Sequence, residues 1–306
     1  MRKQAAPENR SRWNRVSPGA HLALSALFIL LSFASVLPLI FVTVVSLSST
    51  ESIASRGYTF FPSEWSLDAY RYMLGRFDYI GHSALVSCAV TFLGTFLSLT
   101  LISTMAFVLS RRDFRLRRLY TLLVLIPMFF GGGLAAGYVV NTQLFQLKNT
   151  IWALILPGAC SSWYILVMRN YFRQNIPGEI LESAQLDGAG ILRIFTQFVV
   201  PLSGPVMITV GVFEAFGYWN SWYYAMLYLG SNHSELFPLQ YVLYHLQKNV
   251  EFMATNENIS GAILRNLPSE SFRMAMVVVI VLPILITYPF FRKFFLRGLT
   301  TGALRD

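Results

Sequence analysis

The sequence predicts an all-α integral membrane protein with six transmembrane helices. Its 306 residues are 55% hydrophobic and only 13% charged, which is more apolar surface than one soluble core could bury. Several apolar runs are long enough to cross a bilayer as helices, and helices satisfy their own backbone polar groups inside lipid. The net charge of +9 could suggest nucleic acid, but the basic residues lie at the ends of apolar runs. The charge pattern therefore indicates membrane topology, and we expect no nucleic acid among the partners.

The first span is predicted over residues 20–48, after a polar and basic tail over 1–19. Its apolar run is too long for the core of a signal peptide, so we expect an uncleaved membrane anchor. Residues 49–82 mix acidic and aromatic side chains and are predicted to form an external loop. Within that loop a short helix is expected around Ser66 to Leu74, with Ser66 as its cap.

The next five predicted spans lie within residues 83–295. They cover approximately residues 83–110, 119–140, 150–171, 202–229 and 272–290. The first of these five is rich in Ser, Thr, Gly and Ala, a composition that lets membrane helices approach closely. The second contains Pro127 and the run Gly131-Gly132-Gly133, so we expect a broken helix there.

The arginine distribution predicts which loops are cytoplasmic. Five arginines between Arg111 and Arg118 follow the second span, against the single carboxylate of Asp113. An excess of arginine marks cytoplasmic loops, so this end of the span is predicted to lie in the cytoplasm. With six spans, both termini are then cytoplasmic, including a tail over 296–306. The same topology places the loop over 173–201 inside and the loop over 230–271 outside.

The loop over 173–201 is neither membrane-like nor simply polar. Its first half is predicted to be a short helix that Pro177 begins and that carries Glu182 on a charged face. The pair Asp187-Gly188 predicts a helix stop and a turn, after which helical spacing resumes until Pro201. Two short helices at an angle would form a knuckle suited to docking. The residues alone leave open an amphipathic connector with solvated carboxylates.

The pattern E-S-A-Q-L-D-G-A-G from Glu182 to Gly190, followed by Pro201, resembles the EAA loop in membrane subunits of bacterial ABC importers. The one departure is Ser183, where that motif usually has alanine. The resemblance implies an ABC type I importer permease fold, in which this loop docks into a cleft of a cytosolic ATPase. It further implies that Glu182 pairs with a basic group of the ATPase, that the turn sets the bend, and that the alanines allow close approach. The implied ATPase-coupling residues are Glu182, Ser183, Ala184, Asp187, Gly188 and Ala189.

Other segments resemble the sugar-importing branch of that family, in particular the second permease of maltose-type importers. They are residues 149–172, 217–229 and the C-terminal stretch that begins at Tyr288. The triple glycine and residues 267–275 resemble permeases for polysaccharide fragments, including uronic-acid oligomers such as alginate or pectin pieces. The resemblance thus implies a permease subunit that forms the translocation path for an oligosaccharide. The tail departs from the family, because it ends in Leu304-Arg305-Asp306 and not in a Gly-x-x-Lys-Gly pattern.

The resemblance also implies a set of partners. They are a second permease that completes a heterodimer, a dimer of ATPase subunits, a periplasmic or lipid-anchored solute-binding protein, the oligosaccharide and membrane lipid. The external loop over 230–271 is implied to reach into the binding protein. ATP and Mg would be bound by the ATPase subunits, since this chain lacks a phosphate-binding loop and is expected to hold no cofactor. The implied location is the bacterial cytoplasmic (inner) membrane.

The translocation path is predicted from polar and aromatic residues of the fifth span. Glu214 is the one acidic residue inside a predicted span, where a carboxylate is costly unless it is paired, protonated or beside water. It either lines the path or gates it, or it is a buried structural glutamate. Tyr218, Asn220 and Trp222 have side chains that stack on sugar rings or bind hydroxyls, although such aromatics also form the membrane-interface belt.

No arrangement of serine, histidine and carboxylates predicts a catalytic site, so an enzyme is not expected. Cys88 and Cys160 lie in apolar runs and are predicted to be buried, and the four histidines show no metal-ligand spacing. The alternative class is a secondary transporter driven by an ion gradient. It would require intramembrane ionisable pairs and an internal repeat, and the sequence offers only Glu214 and no clear repeat.

Overall fold

The computed structural model describes residues 17–255 and 270–303. Within them the regular secondary structure is helical, apart from one antiparallel bridge between Ser48 and Trp65. The all-α prediction is therefore confirmed. Residues 1–16 of the predicted tail, residues 256–269 of the predicted external loop and residues 304–306 lie outside the described residues.

The described helices are numbered in chain order. The first eight are α1 (Pro18–Ser46), α2 (Thr50–Arg56), α3 (Asp68–Gly75), α4 (Phe77–Ser110), α5 (Arg117–Phe129), α6 (Leu134–Val139), α7 (Trp152–Ile155) and α8 (Ser162–Asn175). The others are α9 (Gly178–Leu186), α10 (Ile191–Ile194), α11 (Val200–Leu202), α12 (Gly204–Trp219), α13 (Tyr223–Tyr228), α14 (Leu239–Thr255) and α15 (Glu270–Ala303). Short π-helical turns follow α6 and α10, at Val140–Leu144 and Phe195–Val199, and 3-10 turns cover Leu156–Gly158 and Ser234–Leu236.

Local sequence explains where several helices begin. The hydroxyl of Ser17 accepts a hydrogen bond from the N–H of Ala20 at 3.3 Å, and Pro18 occupies the first turn of α1. At the start of α3 the hydroxyl of Ser66 accepts from the N–H of Asp68 at 3.0 Å, which is the cap that the sequence predicts. α4 begins earlier than predicted, at the residue Phe77 within the segment expected to be a loop.

Three helical segments are long and apolar enough to cross a membrane: Pro18–Ser46, Phe77–Ser110 and Glu270–Pro289. Two bent pairs bring the number to five if each pair is one span. One pair is Arg117–Phe129 with Leu134–Leu144, which bends by 114° at the glycine run, so the predicted break is confirmed. The other pair is Ile191–Leu202 with Gly204–Trp219, which bends by 84°. The remaining predicted span, over 150–171, is divided between α7, a 3-10 turn and α8. Pro157 lies in that 3-10 turn, where its missing N–H interrupts the helix.

The chain divides into two compact units, and the described part of the first is residues 17–69 with 270–278. Buried serines hold this unit together. The hydroxyl of Ser271 donates to the carbonyl of Ser48 at 2.7 Å. The hydroxyl of Ser52 accepts from the N–H of Ser63 at 3.0 Å and from its hydroxyl at 2.9 Å. α1, by contrast, leaves most of its apolar side chains uncovered by this chain, as a helix surrounded by lipid would.

The second unit comprises residues 70–255 with 279–303 in its described part, and α4 is its central helix. α8 and α12 pack along α4, with small residues at the closest points. Gly94 of α4 faces the ring of Tyr218, and Gly211 of α12 faces Leu99. The close helix approach that the small-residue composition predicts is thus confirmed. A buried apolar core fills the end of α4 nearest the arginine-rich loop and includes Ile102, Phe107, Ile165, Met168, Phe172 and Ile194.

The prediction that both cysteines are buried is wrong, since Cys88 and Cys160 are exposed free thiols. Cys88 lines a mostly apolar cavity of about 500 Å³ between α4, α12 and α15. The thiol of Cys160 lies 3.6 Å from the sulfur of Met105. Apolar runs in a membrane chain also supply the faces that lipid or another subunit covers, so apolar sequence neighbours do not imply burial within the chain.

Candidate functional site

Residues 178–202, called the knuckle below, form two short helical segments joined by a sharp bend. α9 begins after Pro177 and ends at Leu186, with Asp187 as its C-terminal cap. Gly188 then adopts a φ of +80°, and the N–H of Ala189 donates to the carbonyl of Ala184 at 2.9 Å. A left-handed glycine just past a helix end satisfies the last carbonyls without steric strain. The bend predicted at Asp187-Gly188 is therefore present.

The second half of the knuckle is a helix of changing pitch. α10 passes through a π turn into α11, which ends at Leu202, one residue beyond the Pro201 predicted to end it. In the π turn the N–H of Val200 donates to the carbonyl of Phe195. A proline removes one helical hydrogen bond, and the wider turn that precedes Pro201 absorbs this loss. Sequence spacing gave no sign of the π turn.

One face of the knuckle is built into the core of the second unit. Ala184 is only 5% exposed and packs in the buried cluster that also contains Phe172, Ile176 and Ile194. Leu181 and Ala189 pack against the same cluster. Because interiors are close-packed, the knuckle and the adjoining ends of α4 and α8 are coupled by contiguous contacts. The small side chain of Ala184 therefore allows close packing within this chain.

The opposite face of the knuckle is uncovered. Glu182, Ser183 and Asp187 are exposed, and within the part of the chain that the structure describes Glu182 has no cationic partner within ion-pair distance. Beside these polar groups, Leu186 is 89% exposed and Leu192 is 71% exposed. Large apolar side chains beside charged groups on an open surface are typical of an interaction site.

A second group of predicted residues meets inside the second unit. Glu214 and Tyr218 lie one turn apart on α12, and they are 7% and 5% exposed. The hydroxyl of Tyr218 donates to the carbonyl of Ile155 at 3.0 Å and lies 3.0 Å from the hydroxyl of Ser98. The carboxylate of Glu214 lies near the hydroxyl of Ser98. This polar cluster joins α4, α12 and the end of α7.

The other two predicted path residues lie beyond the end of α12, apart from the polar cluster. Asn220 is exposed, and its side-chain amide donates to the carbonyl of Phe216 at 2.9 Å. The ring of Trp222 is stacked on that of Tyr244 of α14, with centroids 4.3 Å apart. Sequence reasoning missed Ser98, Gly94 and Tyr244. The serine and glycine content of α4 could have indicated Gly94 and Ser98 as contact points. No sequence pattern indicates that the rings of Trp222 and Tyr244 stack.

The described residues contain no group of three or more histidine, cysteine, aspartate or glutamate side chains placed to hold a metal ion. The two arrangements of interest are thus an uncovered surface of apolar and acidic side chains and a polar helix junction, in a chain with several long apolar helices.

Comparison with known proteins identifies the family. Residues 98–301 match the family described as "Binding-protein-dependent transport system inner membrane component", and the chain belongs to that family. It is therefore an inner-membrane permease component of an ABC importer, and the ion-gradient alternative is set aside. The permease fold that the resemblance implied is confirmed.

Two curated relatives from Bacillus subtilis are similar over most of their length. The chain is 38% identical over 278 residues to the polygalacturonan/rhamnogalacturonan transport system permease protein YtcP, covering 90% of this chain and 95% of that protein. It is 35% identical over 273 residues to protein LplC, covering 89% and 90%. Among solved structures, a bacterial ABC transporter involved in the import of the acidic polysaccharide alginate has a chain that matches with a TM-score of 0.78. That match has 27% identity and covers 92% of this chain and 99% of the other.

Proposed function

We propose that this chain forms half of the translocation path for an oligosaccharide, including uronate-containing oligosaccharides, in an ATP-driven importer. It acts with a second permease, two ATPase subunits and a solute-binding protein, and both of its termini lie in the cytoplasm. The names of the relatives support the substrate class, since they include a polygalacturonan permease and an importer of an acidic polysaccharide.

The observation that carries the proposal is the two-sided construction of the knuckle. Ala184 anchors α9 in the permease core, while Leu186 and Glu182 on the same helix face outward. An ATPase that holds the outer face can therefore move the knuckle only by moving the packed ends of α4 and α8 with it. Closure of the ATPase dimer on ATP then switches the permease pair from inward-facing to outward-facing.

The same construction suggests separate roles for the predicted path residues. The hydroxyl of Tyr218 already bonds within the chain, so this residue acts as a helix link and does not contact sugar. Glu214, beside Ser98, belongs to that link and serves as a gating group. Asn220 is exposed and Trp222 offers an aromatic surface, so these two supply the polar and stacking contacts that sugars require.

The test is ATPase activity of the purified complex in proteoliposomes, with binding protein and either uronate or neutral oligosaccharides. Uronate oligosaccharides are expected to stimulate hydrolysis in the wild type. Glu182→Lys is expected to abolish stimulation while the complex still assembles. Glu64→Lys makes the same charge change in an exposed residue of the segment 49–82 and should leave stimulation intact. Stimulation by neutral oligosaccharides but not by uronate oligosaccharides would contradict the uronate assignment, and stimulation that persists in Glu182→Lys would contradict the coupling role.

A further inference from the structure

A cavity of about 360 Å³ lies at the end of α4 nearest the arginine-rich loop. It is lined by Thr104, Met105, Val108, Leu109, Phe114 and Tyr120. Thr104 to Leu109 form the last turns of a helix that is long and apolar enough to span a membrane. The cavity therefore lies at the depth where acyl chains meet headgroups, and its aromatic and aliphatic lining suits hydrocarbon.

The loop that borders this cavity carries an excess of positive charge. Arg111 holds the one carboxylate of the loop with two hydrogen bonds, of 2.9 and 2.7 Å, to Asp113. Arg112, Arg115 and Arg118 are exposed, and no carboxylate among the described residues lies within ion-pair distance of them. The loop thus presents cations that its own chain does not neutralise.

The apolar wall and the cations belong to one structure. Phe114, which lies between the arginines in sequence, lines the cavity and packs against Tyr120 with ring centroids 5.6 Å apart. The loop is held at the knuckle end of the molecule, because the guanidinium of Arg169 in α8 donates to the carbonyl of Leu109 at 3.2 Å. Basic pockets between membrane helices are a recognised form of binding site for anionic lipid headgroups.

We propose that the cavity and the loop of residues 111–118 bind an anionic phospholipid of the leaflet nearest the knuckle. An acyl chain occupies the cavity beside Val108 and Phe114, and the phosphate is held by Arg112 and Arg115. A sugar would find few hydrogen-bond partners in this lining. A protein partner that binds only the arginines would leave the apolar cavity at membrane depth without an occupant. The lipid would hold together the helix ends that move with the knuckle.

The test uses native mass spectrometry of the purified permease complex titrated with phosphatidylglycerol or phosphatidylcholine. The wild type is expected to bind phosphatidylglycerol more tightly than phosphatidylcholine. Arg112→Gln with Arg115→Gln should weaken that binding by about five-fold for each arginine, whereas the corresponding lysine variant should retain most of it. The matched control is Arg76→Gln with Lys148→Gln, which removes two exposed cations from the opposite end of the second unit and should change nothing.

A second pair of variants tests the cavity without altering charge. Val108→Trp places a large ring where Val108 lines the cavity and should weaken phosphatidylglycerol binding. Leu101→Trp alters a residue of similar exposure on the same helix that does not line the cavity, and binding should persist. Equal affinity of the wild type for the two lipids would overturn the proposal. Unchanged phosphatidylglycerol binding in the variant Arg112→Gln with Arg115→Gln would also overturn it. This holds even if that variant no longer binds the ATPase subunits.

Discussion

The ring of Tyr218 in α12 lies directly against Gly94 of α4, and a Cβ atom at position 94 would come within 2.7 Å of the ring. The hydroxyl of the same tyrosine reaches Ser98 and the carbonyl of Ile155, each at 3.0 Å. One side chain therefore links three segments that surround the centre of the second unit. A movement of α12 that begins at the knuckle must carry α4 with it or break these contacts.

Replacing Gly94 with alanine should destabilise the permease. The added methyl group must displace a buried aromatic ring, and overpacking of this kind costs about 1–3 kcal/mol. The measurement is thermal unfolding of the purified protein in detergent. Gly137→Ala is the matched control, because a Cβ there would meet nothing within 4 Å. Equal unfolding temperatures for the two variants would show that the contact is not as tight as described.

Tyr218→Phe keeps the ring but removes the hydroxyl. The carbonyl of Ile155 then loses its donor in a buried setting, which should cost about 1–3 kcal/mol of stability. Tyr223→Phe, at an exposed ring, should cost far less. Combining Tyr218→Phe with Ser98→Ala should cost less than the sum of the two changes, because they share one hydrogen bond. Simple additivity would argue against a linked cluster.

The bend of the knuckle should depend on Gly188. Its φ of +80° is a conformation that costs a residue with a Cβ atom about 1–2 kcal/mol, so Gly188→Ala should reduce sugar-stimulated ATPase activity. Gly188→Asn should retain more activity, because asparagine tolerates the left-handed region. Gly190→Ala serves as the control, since Gly190 has a φ of −66° and open space around it. Comparable losses at positions 188 and 190 would mean that the bend is not the sensitive feature.

The Arg111 guanidinium holds the pKa of Asp113 below its ordinary value, since it donates hydrogen bonds to the carboxylate and adds an opposite charge. A lowered folded-state pKa stabilises the fold above the ordinary aspartate value of about 3.9, and this contribution is lost as the pH falls through the lowered pKa. The effect on stability is small, because the carboxylate is largely exposed.

The pKa itself is the better readout of this pair. Titration of the Asp113 carboxyl carbon by NMR should give a higher pKa in Arg111→Gln than in the wild type. Arg193→Gln, which changes an arginine bonded to Gln197 in the knuckle, should leave the titration unchanged. Identical Asp113 titrations in the wild type and Arg111→Gln would contradict the pairing.

The sequence predicted the features that depend on neighbouring residues. Asp187-Gly188 specifies a bend because glycine alone adopts the left-handed turn without strain, and the glycine run from Gly131 breaks a helix for lack of side chains. The features it could not predict arise between distant segments. Nothing near Trp222 indicates its stacking on Tyr244, and the burial of Tyr218 depends on the glycine it meets on another helix.

The exposure of the cysteines shows a further limit of sequence reasoning. In a membrane chain an apolar run can face the core, lipid or another subunit, and only the packing decides between them. Cys160, predicted to be buried, is exposed for this reason. The span over 150–171 was also predicted as one helix, because hydropathy does not register how Pro157 and its neighbours divide it.

Site-specific photo-crosslinking can determine whether the outer face of the knuckle contacts the ATPase. A photoreactive amino acid would replace Leu186, whose side chain is 89% exposed, and in a control it would replace Leu144, which is 71% exposed at the opposite end of the second unit. We predict an ATPase adduct from position 186 that changes in yield when ATP is bound, and none from position 144. The absence of an ATPase adduct at position 186, or equal adducts at both positions, would argue against contact between the outer face of the knuckle and the ATPase.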